Sequence, residues 1–161
     1  MTTQLREPAH QVSRRALTMW QVEAGLEAVA FAVAGTVAAL VWTPAPLRWW
    51  LVALAVLVPA ALAVVVPPWR FRVHRWEVVA EAVYTQRGWW ARERRIAPLS
   101  RVQTVDIAEP PLARLFGLAT VTVTTASAAG ALRIDGLDRP LAVALADDLT
   151  RRANAVAGDA T

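Results

Sequence analysis

The 161-residue sequence contains no cysteine, no lysine, two histidines and one tyrosine. Without cysteine there is no disulfide scaffold, no thiolate zinc site and no thiol nucleophile. The histidines, His10 and His74, sit singly in basic flanks and cannot assemble a histidine metal set or a Ser/His/Asp triad. A Gly-rich phosphate loop and a GxSxG nucleophile elbow are both missing. The carboxylate pairs Asp106 with Glu109 and Asp147 with Asp148 lack the apolar surroundings that would separate their proton affinities. The sequence therefore predicts no enzyme, no cofactor and no metal. Charge is scarce as well: 19% of residues are charged and 56% hydrophobic, against about 25% charged in soluble domains. Intrinsic disorder is excluded by that apolar content, and membrane segments come first among the remaining options.

The net charge of +4 belongs to one half of the chain. Up to Arg75 there are seven arginines against three acids, whereas the remainder carries ten of each. A nucleic-acid module concentrates its basic field on its own domain, so no nucleic acid is expected as a partner.

What the sequence does have is two long apolar runs, residues 22–42 and 49–66, joined by Thr43-Pro44-Ala45-Pro46-Leu47-Arg48. A hydrocarbon core about 30 Å thick needs about 20 apolar helical residues, and both runs qualify. Tryptophans stand at bilayer spacing: Trp20 and Trp42 are ~33 Å apart along a helix, Trp49 (followed by Trp50) and Trp69 ~30 Å. They read as aromatic belts. Pro59 inside the second run is better tolerated in lipid than in water. Arg14 and Arg15 precede the first run and Arg70, Arg72 and Arg75 follow the second, with Arg48 alone in the turn. The positive-inside rule then places both termini in the cytoplasm of a bacterial plasma membrane, with the arginines against anionic lipid. Ser13-Arg14-Arg15 resembles a twin-arginine export signal, but two Glu interrupt the start of the apolar stretch and a second span follows. Val66-Pro67-Pro68 is expected to end the second helix. Glu23 and Glu27 share a helix face. They either pair with arginines in the first interfacial turns or make an intramembrane contact, deeper for Glu27. Ala24, Ala28 and Ala32 form a small-residue face.

From Trp76 the hydrophobic period changes to two. Short strands are expected over Trp76–Val79, Ala82–Gln86, Trp89–Ile96, Val102–Ile107, Thr120–Thr125 and Leu132–Ile134, the last ended by Gly136. From Leu137 to about Ala155 the pattern is helical, with Leu137, Leu141, Leu145 and Leu149 at spacing four. The expected organisation is a segment over 1–19, a transmembrane hairpin over 20–69 and a small domain over 70–157. The fold class is α+β: the hairpin, then a small antiparallel barrel or sandwich whose open end a C-terminal helix covers.

The runs RRIAPLSRVQTVD (Arg94 to Asp106) and PLARLFGLATVTVTTA (Pro111 to Ala126), followed by a strand and a closing helix, resemble the bacterial pleckstrin-homology-like (PH-like) domain of YdbS-like membrane proteins. The resemblance covers nearly the whole chain. It implies a PH-like barrel, membrane residence, no catalytic chemistry, and a hetero-complex with a larger relative bearing several such domains. Phosphoinositide binding does not carry over, because the loop between the first two strands is short and acidic at Ala80-Glu81.

Pro111, Leu112, Leu115, Phe116 and Gly117 are expected to plug the barrel. Arg92 and Arg94 share a strand face opposite Glu93 and Arg95, forming a candidate partner or headgroup face. The expected function is a membrane-held interaction or assembly module whose partners are membrane lipids and a related membrane protein or a second copy. A lipid-headgroup sensor and an accessory subunit of an export or stress-defence system are the alternatives.

Overall fold

The computed structural model describes residues 7–88, 90–126 and 130–158. Residues 1–6 of the expected N-terminal segment and Trp89 of the expected fourth-strand region lie outside the described residues. The chain forms two units: residues 17–69, and a second unit in which the segment up to Ala16 joins everything from Arg70 onward.

The first unit is helical. Helix α1 spans Arg14–Trp42 and α2 spans Ala45–Val73, each a continuous apolar helix with no helix-breaking residue run before Pro59. The turn between them closes through the Leu47 and Arg48 amides, which donate to the Pro44 carbonyl at 3.2 and 3.1 Å. The Arg48 side chain also donates to the Thr43 carbonyl, so the one basic residue of the turn caps it. The helices approach closely where small residues face each other: a Cβ on Gly35 would sit 2.8 Å from the Cβ of Ala55. Large apolar side chains point outward, among them Val29 at 64% and Leu57 at 65% exposed. A core helix of a water-soluble protein buries such a face; a helix in lipid does not need to.

One boundary differs from expectation. Helix α2 does not stop at Val66 but runs through Pro67 and Pro68 to Val73. Each proline removes an N–H from the helical ladder, yet Pro67 is fully buried, so its ring is held by packing where its missing donor would loosen the helix.

The second unit is two antiparallel sheets and a helix. Strands β1 (His10–Gln11), β2 (Arg75–Val78), β3 (Ala82–Arg87) and β4 (Glu93–Pro98) pair in that order, and β5 (Val102–Ala108), β6 (Leu118–Thr125) and β7 (Leu132–Asp138) form the other sheet. A short helix α3 (Pro111–Leu115) links β5 to β6, and α4 (Arg139–Gly158) follows β7. The α+β class and the sandwich with its C-terminal helix are as expected. In β6 Val121 and Val123 are fully buried and Thr122 and Thr124 are half-buried, but Thr120 is buried too, its hydroxyl donating to Asp135 at 3.1 Å.

Three local differences have physical causes. Gly136 does not end β7; with φ of +74° it takes up the extra residue of a β-bulge between the pairs Val121↔Ile134 and Ala119↔Leu137. Leu137 therefore stays in the strand, fully buried, and Leu141 is 44% exposed, so the face of α4 that closes the core is Ala142, Leu145, Ala146 and Leu149. A stripe at spacing of three and four, not four alone, follows the helical period. Finally, Leu115 does not plug the sandwich: it is 82% exposed, while Ala113 and Leu118 on either side are buried.

Candidate membrane and partner interface

Both ends of the membrane hairpin are rooted in the sheet unit by its own residues. Strand β1 pairs with β2 through His10↔Trp76 and Gln11↔Arg75, and the His10 and Trp76 rings meet at 5.1 Å, tilted by 36°. The chain then enters α1 through Ser13, whose amide donates to the Gly136 carbonyl at 2.9 Å and whose hydroxyl donates to Asp138 at 2.9 Å. Arg15 lies 4.0 Å from the same carboxylate. At the other root, Gln86 is 3% exposed and its amide donates to the carbonyl of Val73, the last residue of α2, at 3.2 Å. The Gln86 carbonyl oxygen accepts from the Arg94 guanidinium at 2.9 Å. A single buried amide thus links the end of a membrane helix to strand β4. Sequence reading gave Gln86 no role, since a glutamine in an alternating strand carries no signal of what lies across from it.

His74 follows directly. Its Nδ1 lies 2.8 Å from the Arg70 carbonyl, so the neutral ring donates from that nitrogen. Burial, with the Arg70 and Arg87 charges adding to it, pushes its pKa below the ordinary 6.5, against smaller opposing contributions from the Arg70 carbonyl and Asp135. Glu93 accepts from Arg87 at 2.7 Å and from Arg95, and those two guanidiniums hold its carboxyl below the usual range.

The sequence-predicted residues separate accordingly. Trp42, Trp49, Trp50 and Trp69 are exposed at 77, 68, 77 and 45%, whereas Trp20 is buried at 2% and offers no indole to a lipid belt. Arg14, Arg15 and Arg72 are exposed and Arg70 and Arg75 half-buried; Arg75 also reaches the Pro8 carbonyl at 3.5 Å. Arg92 and Arg94 do not share a strand face. Strand β4 begins at Glu93, leaving Arg92 exposed in the turn, while Arg94 is held by Gln86 and lies 3.8 Å from Glu7. Glu23 and Glu27 are both exposed on α1, and only Glu27 of the two lines the open groove between the helices, about 900 Å³ in volume, alongside Phe31, Ala55 and Pro59. A smaller recess of about 220 Å³ lies where β4 residues Arg94 to Ala97 meet Thr125, Gly130 and Leu132. Among the described residues no cluster of three His, Asp or Glu side chains is arranged to hold a metal ion.

The model of the bacterial PH domain family matches residues 22–153, taking in α1 from Val22 onward, α2 and strands β2 to β7. The chain belongs to the bacterial PH domain family. Among curated members, it is 30% identical over 157 residues to the UPF0699 transmembrane protein YdbS of Bacillus subtilis (strain 168), covering 95% of this chain and 98% of that one. No solved structure matches. The likeness to a named transmembrane protein over nearly full length agrees with the outward-facing apolar helices. This bacterial PH-domain chain is a YdbS-like membrane protein with two helices long and apolar enough to cross a membrane.

Proposed function

We propose that this protein is a non-enzymatic subunit of a bacterial plasma-membrane complex, with both termini in the cytoplasm and the PH domain serving as an assembly module for a related, larger PH-domain membrane protein. The observation that carries this reading is Glu27 in the groove between α1 and α2. It lies five residues, about 8 Å, inside the first apolar run, where an unpaired carboxylate carries part of the ~2.5–3.5 kcal/mol that insertion scales give at mid-span. A donor on a third transmembrane segment seated in the groove removes that cost. The edge strand β4, with its recess, offers a second attachment in the cytoplasm by strand addition. The orientation rests on the arginines at both roots and the single Arg48 in the turn.

Headgroup sensing is the second reading, and the exposed Arg92 favours it. The engagement of Arg94 by Gln86 counts against it, since that guanidinium is already committed. The test is purification of the intact chain from its native membrane in mild detergent. A co-purifying PH-domain membrane protein, lost in Glu27→Leu, supports the proposal; a chain that runs as a bare monomer in both forms overturns it. Vesicle flotation with an Arg92/Arg94 double alanine variant, reconstituted at full length, separates the headgroup reading.

A further inference from the structure

Among the described residues the two sheets have four edge strands, β1 and β4 in one, β5 and β7 in the other. Three of them carry features that limit further pairing. Strand β1 is two residues long. Strand β4 carries Arg94 and Arg95 and ends at Pro98. Strand β7 is bulged at Gly136, whose carbonyl already accepts from the Ser13 amide at 2.9 Å. Strand β5 differs. It is seven residues long, Val102, Thr104, Val105 and Ile107 are β-branched, and Asp106 is its one charge. Its bulge lies at one end, between Val102 and Thr104, and leaves 104–108 regular. Its core face is also incompletely covered. Val105 and Ile107 pair with Val123 and Val121 of β6, both fully buried, and paired residues point to the same side of a sheet. Ile107 is nevertheless 40% exposed and Val105 half-buried, because the sheet stops at β5.

We propose that β5 is the docking edge for a second copy of this chain, the two β5 strands pairing antiparallel about a two-fold axis at Val105. Two three-stranded sheets then become one of six strands. This goes beyond the assembly reading and does not depend on it. The occupant follows from the strand's own sequence. A two-fold antiparallel pair must centre on a residue, since opposite residues share a face. Centred on Asp106, it would set two carboxylates against each other, which is unfavourable. Centred on Ile107, it would set Val105 against Glu109; centred on Thr104, it would run into the bulge. Centred on Val105, it sets Val105 against its own copy and Thr104 against Asp106 twice. Thr104 and Asp106 are both exposed, and within one chain that hydroxyl donates to that carboxylate at 3.1 Å. They lie on one face and match as donor and acceptor. The strand thus meets its own copy without a like-charge pair, and strand addition supplies the backbone bonds. A strand pair of this length is smaller than the ~1,200 Å² of a standard interface. Two copies held in one bilayer meet at raised effective concentration, so the dimer is expected in membranes and not in dilute detergent.

The sequence has no cysteine, so disulfide trapping in the native membrane reads the pairing directly. Full-length Val105→Cys should form an oxidant-induced dimer, its two Cα atoms lying about 5 Å apart and within disulfide reach. Asp106→Cys alone should cross-link several-fold less, its two copies being offset to ~8 Å. Coexpressed with different tags, Thr104→Cys and Asp106→Cys chains should trap the mixed dimer. Ala144→Cys, exposed on α4, sets the collision background. Thr104→Asp in the Val105→Cys chain sets a carboxylate against each Asp106 and should reduce the dimer several-fold, whereas Thr104→Lys should keep it. Glu27→Leu should leave the trapped dimer unchanged, which separates this proposal from the assembly reading. A dimer at 105 no stronger than at 144, or equal at 105 and 106, overturns the proposal. So does indifference to Thr104→Asp. Cysteines at 105 and 106 shielded from maleimide without a trapped dimer overturn it as well, because a different protein then covers the edge.

Discussion

The two units bury opposite things. In the hairpin small residues meet, Gly35 against Ala55, while Val29, Leu57 and Val64 face out; in the sheet unit Leu99, Leu118, Leu137 and Leu149 are wholly enclosed. Both arrangements follow from one rule applied in two solvents. Lipid tails are as apolar as leucine, so helices in a membrane gain nothing from hiding large side chains and instead bring small ones together. Water makes the reverse arrangement favourable, by about 25 cal/mol per Å² removed from it. Exposure of a leucine therefore carries opposite meanings on either side of Arg70.

The largest expected effect tests the water side. Leu149→Ala deletes a fully enclosed side chain of α4 and should cost ~2–5 kcal/mol, read as a drop in the unfolding midpoint of the sheet unit in the detergent-solubilised full chain. Leu115→Ala, of identical chemistry, should move that midpoint by under ~0.5 kcal/mol. Next comes the lipid side. Leu57→Asp places a charge on a residue 65% exposed, a change costing under ~0.5 kcal/mol on a water-facing helix but ~2.5–3.5 kcal/mol mid-span on insertion scales. The variant should lose its resistance to carbonate extraction. Retention equal to the parent would break the comparison at its root.

Much of this contrast is legible in the sequence, because hydrophobic run length and hydrophobic period are local properties. The two apolar runs, the turn at Pro44, the Val/Thr alternation of β6 and the closing helix each need only a window of neighbours. The roots are not local. Gln86 reaches Val73 across a strand pair, Ser13 reaches Asp138 from the far end of the chain, and nothing in either window records the other. The outward turn of Leu115 is not local either: an apolar residue in a five-residue helix can face either way, and the burial of Ala113 beside it is decided by the sandwich, not by the motif. Trp20 likewise has the spacing of a belt residue, but spacing does not report burial.

A smaller effect sharpens the small-residue side of the comparison. Gly35→Leu drives a side chain into Ala55, already 2.8 Å from where a Cβ would begin. Separation of α1 from α2 should cost ~1–3 kcal/mol, seen as weakened cross-linking between single cysteines introduced at 39 and 51. Gly25→Leu, with nothing near its added Cβ, should leave that cross-link unchanged.

The smallest effect falls where the chain leaves the lipid regime for the aqueous one. His74 is buried with its pKa below 6.5, so the folded state favours the neutral ring and the unfolded chain binds the proton more readily. Its contribution is thus fully present above pH 6.5 and is lost as pH falls through the folded value. The unfolding midpoint of the sheet unit should decline as the pH is lowered from 7.5 towards 5.5. His74→Asn places an amide N–H where Nδ1 donates to the Arg70 carbonyl and has no proton to gain, so its midpoint should change less over that interval. If the variant declines as steeply as the parent, the acid sensitivity belongs to the carboxylates, with the Arg87–Glu93–Arg95 cluster the first place to look, and protonation of His74 does not govern the junction.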